Sequence, residues 1–180
     1  SLSSIKLGNL SDAKIYAEKA LKENPDSIDG QIALGLIFSD YGEIDKSKNH
    51  FQMALVFSHN SLFAVRKYAT SEMRLGNNKK AKAIIKNALM NKNADAPTID
   101  LLGKLLWIEG NFKEAIKLRT DASVMFRKSG NTARAEQILI WLNTSASDKL
   151  EAIVEEKVQP KVSEVKPKMI LKDRKVYKPK

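Results

Sequence analysis

The sequence predicts an all-α solenoid in which pairs of helices stack on one another along one direction. Three sets of small residues recur at a constant interval of 34 residues. The first set is Gly8, Gly42, Gly76 and Gly110, the second is Ala20, Ala54, Ala88 and Ala122, and the third is Ala13, Ser47, Ala81 and Ala115. Self-similarity at a fixed period of this size is the signature of stacked repeats, each of which is one supersecondary unit.

Each repeat has the pattern of two amphipathic helices joined by a glycine turn. The stretch 27–42 places apolar residues over a broad helical face, with Ser27 as the helix cap and Gly42 as the stop. The stretch 44–57 carries a second apolar stripe that includes Phe51. One such pair cannot bury its own apolar face, so it must stack on its neighbours, and a stable array needs at least three units.

The repeated residues resemble the tetratricopeptide repeat (TPR), a helix–turn–helix family. A large residue directly precedes a small one in each first helix, as Leu34–Gly35, Tyr68–Ala69 and Leu102–Gly103, and a proline ends the first unit in KENPDS (22–27). The sequence departs from the family pattern at the first-helix tryptophan, which is Gln31, Val65 and Ile99, and at the closing proline, which becomes His59 and Asn93. The resemblance covers residues 1–129 and implies a TPR-type α-solenoid of about four 34-residue repeats.

The pattern gives bounds for the helices and for three segments of the chain. Helices are predicted at 2–7, 10–23, 28–40, 44–57, 62–75, 78–91, 97–109, 112–128, 132–143 and 148–157. The segments are a TPR array over 1–129, C-terminal capping helices over 130–157 and an extended basic tail over 158–180. By the repeat register the first helix of the first unit should begin about six residues before Ser1, so we expect that repeat to be truncated at its start.

The glycine spacing changes after the fourth unit. Gly130 comes 20 residues after Gly110, which leaves two interpretations. Either helix 112–128 is shared between two units, or helix 132–143 caps the open end of the array, as solenoids require. The second interpretation is favoured. A last short helix should end before Pro160, which cannot continue it.

The net charge of +10 is concentrated in the tail. Residues 158–180 hold eight basic and two acidic side chains, a net charge of +6, and too little apolar surface to fold alone. The tail is either a linker or chain end, or a segment that docks through its apolar residues onto a partner or onto this chain's own groove. The candidate docking residues are Met169, Ile170, Leu171, Val176 and Tyr177.

The sequence has no catalytic, cofactor-binding or metal-binding pattern. Cysteine is absent, and the two histidines, His50 and His59, have no partner at a metal-binding spacing. There is also no phosphate-binding loop, nucleophile elbow or calcium loop. We therefore predict a protein that is not an enzyme and needs no cofactor. No apolar run is long enough to span a membrane, so a soluble protein is expected.

Function is therefore expected in the surfaces of the array. In the family that the sequence resembles, the first helix of each unit lines a concave groove, and a partner peptide binds there in an extended or helical form. The groove candidates by register are Ile32, Leu36, Ser39, Phe63, Arg66, Thr70, Met73, Asp100, Lys104 and Trp107. Alternatively, Phe63 and Trp107 only cover the seam between helices. The family's carboxylate-clamp positions hold Ile32, Leu36, Arg66 and Thr70, which argues against a chaperone-tail clamp.

Two functions remain open from the sequence. The first is a scaffold or adaptor that binds protein segments during assembly of a larger complex. The second is a basic adaptor for acidic or phosphate-rich ligands, bound through the tail and through Lys79, Lys82 and Lys86 on the outer face, although these lysines equally suit a solvated surface. No aromatic residue is interleaved with them, which argues against nucleic acid. The Lys- and Asn-rich composition is typical of proteins encoded by AT-rich bacterial genomes. The oligomeric state and the compartment, cytoplasm or periplasm and envelope, stay open.

Overall fold

All regular secondary structure in the described part of the chain is α-helical. The computed structural model describes residues 2–90 and 94–151. Within these ranges the helices are α1 (Leu2–Glu23), α2 (Ile28–Asp40), α3 (Ile44–Phe57), α4 (Leu62–Arg74), α5 (Asn78–Met90), α6 (Ala96–Ile108), α7 (Phe112–Lys128) and α8 (Thr132–Thr144). A further helical segment covers 147–151. Successive helices pack as antiparallel pairs, and the predicted solenoid of helix–turn–helix units is confirmed.

Glycine turns end four of these helices in the same way. Gly42, Gly76, Gly110 and Gly130 have φ angles between 78° and 81°, the left-handed region in which glycine has no Cβ clash. The residue after each glycine donates its backbone N–H to the carbonyl five residues earlier, as from Glu43 to Phe38 at 2.9 Å. This pattern satisfies carbonyl groups that the helix end would otherwise leave unpaired. The predicted helix ends agree with the structure to within about one residue from α2 to α8.

The first helix differs from the prediction. Two helices, 2–7 and 10–23, were expected on either side of a turn at Gly8, but α1 runs without a break from Leu2 to Glu23. Glycine inside a helix costs about 1 kcal/mol, which does not end it. At the other glycines two full helices pack against each other across the turn.

The core is a row of apolar clusters along the array. In one cluster Phe51 of α3 is buried with Ile32 of α2 and stacks on Tyr68 of α4, at 4.9 Å between ring centroids. The next cluster is centred on Ile85 and Leu105, and the last joins α6, α7 and α8. Each cluster contains residues from consecutive units, as expected for a solenoid in which neighbours bury one another.

The 34-residue register continues through α8, although the glycine spacing changes. The guanidinium of Arg74 binds Asp40 at 2.6 Å, and that of Arg134 binds Asp100 at 2.8 Å, and each pair is 34 residues apart. Helix α7 has 17 residues, whereas α3 has 14 and α5 has 13. The extra turn of α7 takes the place of the linker that elsewhere joins two units. Helix α8 begins at Thr132, two residues after the start that the 34-residue period gives from Ala96, and its Arg134 still reaches Asp100 of α6.

Candidate peptide-binding groove

The first helices of successive units form a groove with a volume of about 480 Å³. Helix α4 supplies most of one side, α6 supplies the other, and α2, α7 and α8 contribute single residues. The lining residues are Leu36, Phe63, Arg66, Lys67, Thr70, Arg74, Pro97, Asp100, Leu101, Lys104, Phe126 and Arg134. Six of the ten groove candidates from the sequence are among them: Leu36, Phe63, Arg66, Thr70, Asp100 and Lys104.

The other four candidates lie outside the groove lining. Ile32 is buried in the core between α2 and α3, and Ser39 is buried and accepts a hydrogen bond from the hydroxyl of Ser71 at 2.9 Å. Met73 packs against the core around α5 and α6. Trp107 contacts two other rings edge to face, those of Phe112 and Trp141. It therefore packs at the seam between helices, which is one of the two roles that the sequence left open.

Six lining residues were not identified from the sequence: Lys67, Arg74, Pro97, Leu101, Phe126 and Arg134. Arg134 could have been found, because it lies 34 residues after Asp100 and 68 after Arg66. The shorter spacing between Gly110 and Gly130 obscures this register in the sequence. Phe126 lies in the turn by which α7 exceeds the other second helices, so the repeat pattern contains no signal for it.

The apolar part of the groove centres on Phe63. Its side chain lies in the first turn of α4, which is capped by the hydroxyl of Ser61, and it remains 46% exposed. Leu36 and Leu101 are partly buried beside the same groove. The ammonium of Lys67 lies 5.3 Å from the centre of the Phe63 ring. An exposed aromatic ring in a groove, flanked by aliphatic side chains, is the kind of residue that anchors a bound peptide.

Two ion pairs fix the groove walls. Arg66 of α4 donates to Asp95 at 2.6 Å and to the hydroxyl of Thr98 at 2.9 Å, so α4 is tied to the start of α6. Asp95 also caps α6 by accepting from the backbone N–H of Thr98. Burial alone would raise the pKa of Asp95, but hydrogen bonds from Thr98 and Arg66 outweigh it and lower the pKa below its usual value. Arg74 and Asp40 tie α4 to α2 in the same manner.

A buried carboxylate organises the end of the groove near α8. Asp100 is 2% exposed, and its Oδ1 accepts from Nε of Arg119 at 3.0 Å. Its Oδ2 accepts from Lys104 at 2.9 Å and from Arg134 at 2.8 Å. Burial by itself would raise the pKa of Asp100, but the hydrogen bond and charge of Lys104, the charge of Arg119 and the hydrogen bond from Arg134 hold that pKa below its usual value. Asp100 is therefore ionised at neutral pH, and it joins α6, α7 and α8.

The outer-face lysines are not equivalent. Lys79 and Lys86 are exposed, whereas Lys82 is partly buried and forms an ion pair with Glu109. A cleft of about 1080 Å³ lies beside them, lined by Gly76, Asn77, Asn78, Lys79, Lys80, Lys82 and Glu109. Lys80 is bound to the buried Glu72 at 2.6 Å. Two of the three lysines in the cleft, Lys80 and Lys82, are therefore already paired with a carboxylate, and the third is Lys79.

The structure describes only part of the chain, and this limits what it shows about the tail, metal sites and membrane spans. The tail and its docking candidates, from Met169 to Tyr177, lie outside the described residues. Among residues 2–90 and 94–151, no group of three or more His, Asp or Glu side chains is placed to hold a metal ion. No helix in the same part of the chain combines the length and hydropathy of a membrane span.

Comparisons with known proteins give a local family match and a similarity of fold. The family model described as tetratricopeptide repeat matches residues 1–27. The solved structure of TTC0263, a thermophilic TPR protein of Thermus thermophilus, is 18% identical, with 76% of each chain covered and a TM-score of 0.59. YrrB, a TPR protein with an unusual peptide-binding site, is 19% identical over 87% of each chain, with a TM-score of 0.46. The chain is also similar to MamA, at 14% identity over 83% of this chain and 95% of MamA, with a TM-score of 0.47. No curated protein matches the chain by sequence.

Proposed function

Since the chain has the tetratricopeptide-repeat fold, we propose that it is a non-enzymatic scaffold or adaptor that binds a segment of a partner protein in its groove. The partner segment adopts an extended or helical form and lies across α2, α4, α6 and α8. Binding of this kind serves the assembly of a larger complex. The observation that carries the proposal is the groove of about 480 Å³, in which an exposed phenylalanine lies between walls of ionic and apolar side chains.

The groove has the features of a peptide-binding surface. Phe63, Leu36 and Leu101 offer apolar area that a partner side chain can cover. Around them, Arg66 and Arg74 are held by ion pairs to neighbouring helices, so the walls are already ordered before a partner arrives. Because little ordering remains to be done on this side, the loss of conformational entropy on binding is small.

The test uses two substitutions in the groove. Phe63→Ala removes the apolar anchor, and Thr70→Trp places a bulky ring at an exposed lining position. We expect the double variant to lose partner capture from an extract of the source cells while its circular dichroism spectrum stays helical. Removal of one central aromatic anchor typically costs about 2 kcal/mol or more of binding free energy, a loss of roughly thirtyfold in affinity.

A matched control variant separates groove binding from general surface effects. Val56 of α3 is exposed and lies outside the groove lining, so Val56→Ala should leave capture unchanged. Equal capture by the folded groove variant and the wild-type chain would rule out this function for the groove. If the groove variant and the wild-type chain both lose partner capture at moderate salt, the basic-adaptor alternative is supported instead. The reason is that phosphate contacts are strongly salt-dependent.

The tail is proposed as a second docking element. The support for it is the net charge of +6 over 158–180, together with the two short apolar clusters at 169–171 and 176–177. Deletion of 158–180 should remove a subset of the captured partners and leave those that depend on Phe63. An unchanged set of partners would limit the tail to a linker or a chain end.

A further inference from the structure

We propose that the groove selects acidic partner segments, and that Lys104 and Arg134 form the subsite that takes a partner carboxylate. This inference rests on the proposed function and names the chemistry of the partner. It comes from the charge balance around Asp100, from the exposure of the cations that surround this carboxylate, and from the way in which the other groove charges are paired.

The cluster around Asp100 has more positive than negative charge. Three cations, Lys104, Arg119 and Arg134, donate to the two oxygens of a single carboxylate at 2.8 to 3.0 Å. The cluster therefore carries a net charge of +2. Asp100 is buried and already accepts from all three, so it holds the three cations in position but neutralises only one of their charges.

Only two of these cations face the groove. The side chains of Lys104 and Arg134 are 36% and 37% exposed, and both line the groove. Arg119 is buried, and its guanidinium carbon lies 3.6 Å from the centre of a Trp141 ring. The unbalanced positive charge is thus presented to a ligand by Lys104 and Arg134, while Arg119 is sequestered in the packing of α7 against α8.

The remaining ion pairs of the groove are balanced one to one. Arg66 is paired with Asp95, and Arg74 is paired with Asp40. The ammonium of Lys67 lies over the Phe63 ring, so it adds positive charge at the apolar end. A ligand therefore meets apolar surface beside Phe63 and an excess of positive charge at α6 and α8. A segment with both apolar and acidic side chains matches this arrangement, and carboxylates form strong charge-assisted hydrogen bonds with guanidinium and ammonium groups.

The chain's own tail is a poor match for the same groove. Its eight basic and two acidic side chains would bring positive charge towards Lys104 and Arg134. Like charges brought together at an interface oppose binding. The occupant is therefore assigned to an acidic segment of a different protein.

The experiment is a selection of short random peptides displayed on phage, at physiological ionic strength, against the full chain. We expect enrichment of peptides that combine Asp or Glu with a large apolar residue. Selected peptides are then synthesised with each acidic residue changed to its amide. The amide peptides should bind roughly tenfold more weakly or worse, since a hydrogen bond between charged groups contributes about 1.5 kcal/mol or more.

Two variants locate the effect in the groove. In Lys104→Gln with Arg134→Gln, the acidic and amide peptides should bind equally, because the difference between them depends on these two cations. The charge-retaining variant Lys104→Arg with Arg134→Lys should keep the preference, which separates loss of charge from loss of folding. Lys79→Gln with Lys86→Gln removes the same charge from the outer face and should leave the preference unchanged.

Several outcomes would overturn the inference. If peptides are selected that need Phe63 but carry no excess of acidic residues, the groove function stands and the carboxylate subsite does not. The groove variant (Lys104→Gln with Arg134→Gln) and the outer-face variant (Lys79→Gln with Lys86→Gln) could lose the preference for acidic peptides equally. That result would assign the preference to the overall charge of +10 instead. Tighter binding of a single-stranded oligonucleotide than of any acidic peptide, through the same two cations, would replace the carboxylate by phosphate. A selection that enriches no peptide would likewise reject the inference.

Discussion

The second and fourth units of the array differ in the contact between their two helices, which is apolar in the second unit and ionic in the fourth. In the second unit Ile32 of α2 meets Phe51 of α3, and Gly35 leaves room for the ring, since a Cβ there would lie 3.0 Å from it. The corresponding residues 68 positions later are Asp100, Arg119 and Gly103. A Cβ added to Gly103 would lie 2.5 Å from Cγ of Arg119. A buried apolar contact is thus replaced by a buried ion pair at the same place in the repeat.

The difference shows what each unit needs from its neighbours. The apolar pair is stabilised by removal of both side chains from water, and aromatic stacking on Tyr68 adds to it. The ionic pair must offset the cost of removing two charges from water, which requires further hydrogen bonds and contacts. Arg134 and Trp141 of α8 supply them. The fourth unit therefore depends on α8, and the second unit has no such dependence on charge.

The largest expected effect comes from breaking the ionic pair. Asp100→Asn leaves the buried Arg119 without its counter-charge, and removing one partner of a buried ion pair costs about 3–5 kcal/mol of the free energy of unfolding. Ile32→Val at the equivalent apolar position should cost only about 1 kcal/mol. Urea unfolding followed by circular dichroism measures both. Similar small losses in the two variants would mean that Trp141 alone is enough to hold Arg119.

A smaller effect is expected when the apolar pair is transplanted. Asp100→Ile with Arg119→Phe reproduces the second-unit residues over Gly103, and replacement of buried ion pairs by apolar residues is often neutral or stabilising by about 1–4 kcal/mol. Lys104 and Arg134 lose their carboxylate but are about one-third exposed, so water can solvate them. The single change Asp100→Ile serves as the control and should destabilise the chain. If the double variant is no more stable than Asp100→Ile alone, the helix contacts of the second and fourth units are not equivalent.

The smallest effect is a difference in pH dependence. The pKa of Asp100 is below its usual value in the folded chain, so its contribution to stability is complete above the unfolded pKa of about 4 and is lost as the pH falls below it. Asp95 should contribute in the same direction, because its pKa is also lowered. The thermal midpoint of the wild-type chain should therefore fall more steeply below about pH 4 than that of the Asp100→Ile, Arg119→Phe variant. Parallel curves would remove Asp100 as a source of the acid sensitivity.

The regular part of the fold could be predicted from the sequence because its signals are local. Ser27 and Gly42 bound a helix by capping and by backbone conformation, and the 34-residue period fixes which helices stack. Gly8 was wrongly expected to form a turn, because the pattern contains the glycine but not the packing that holds the turn. The side chains of Ile32 and Ser39 were expected in the groove, yet they are buried. Which edge of a helix faces a groove depends on the crossing angle between helices, and the period does not contain that angle.

The exchange of Phe51 for Arg119 was visible in the sequence but could not be interpreted there. An arginine at a core position is acceptable only when a carboxylate, a ring and a missing Cβ surround it, and here these come from two other helices. The carboxylate of Asp100 and the missing Cβ of Gly103 come from α6, and the ring of Trp141 comes from α8. The sequence places Asp100 and Trp141 41 residues apart, and only the folded arrangement brings both of them to Arg119.

The edge-to-face contact of Trp107 with Trp141 also determines what can be seen by spectroscopy. These are the chain's two tryptophans, and their rings lie 4.8 Å apart at the junction of α6 and α8. Tryptophan fluorescence, excited at a wavelength that tyrosine does not absorb, therefore reports on one end of the array alone, whereas circular dichroism averages over every helix. Because repeat arrays can open unit by unit, the two signals together can record which end of this solenoid loosens first.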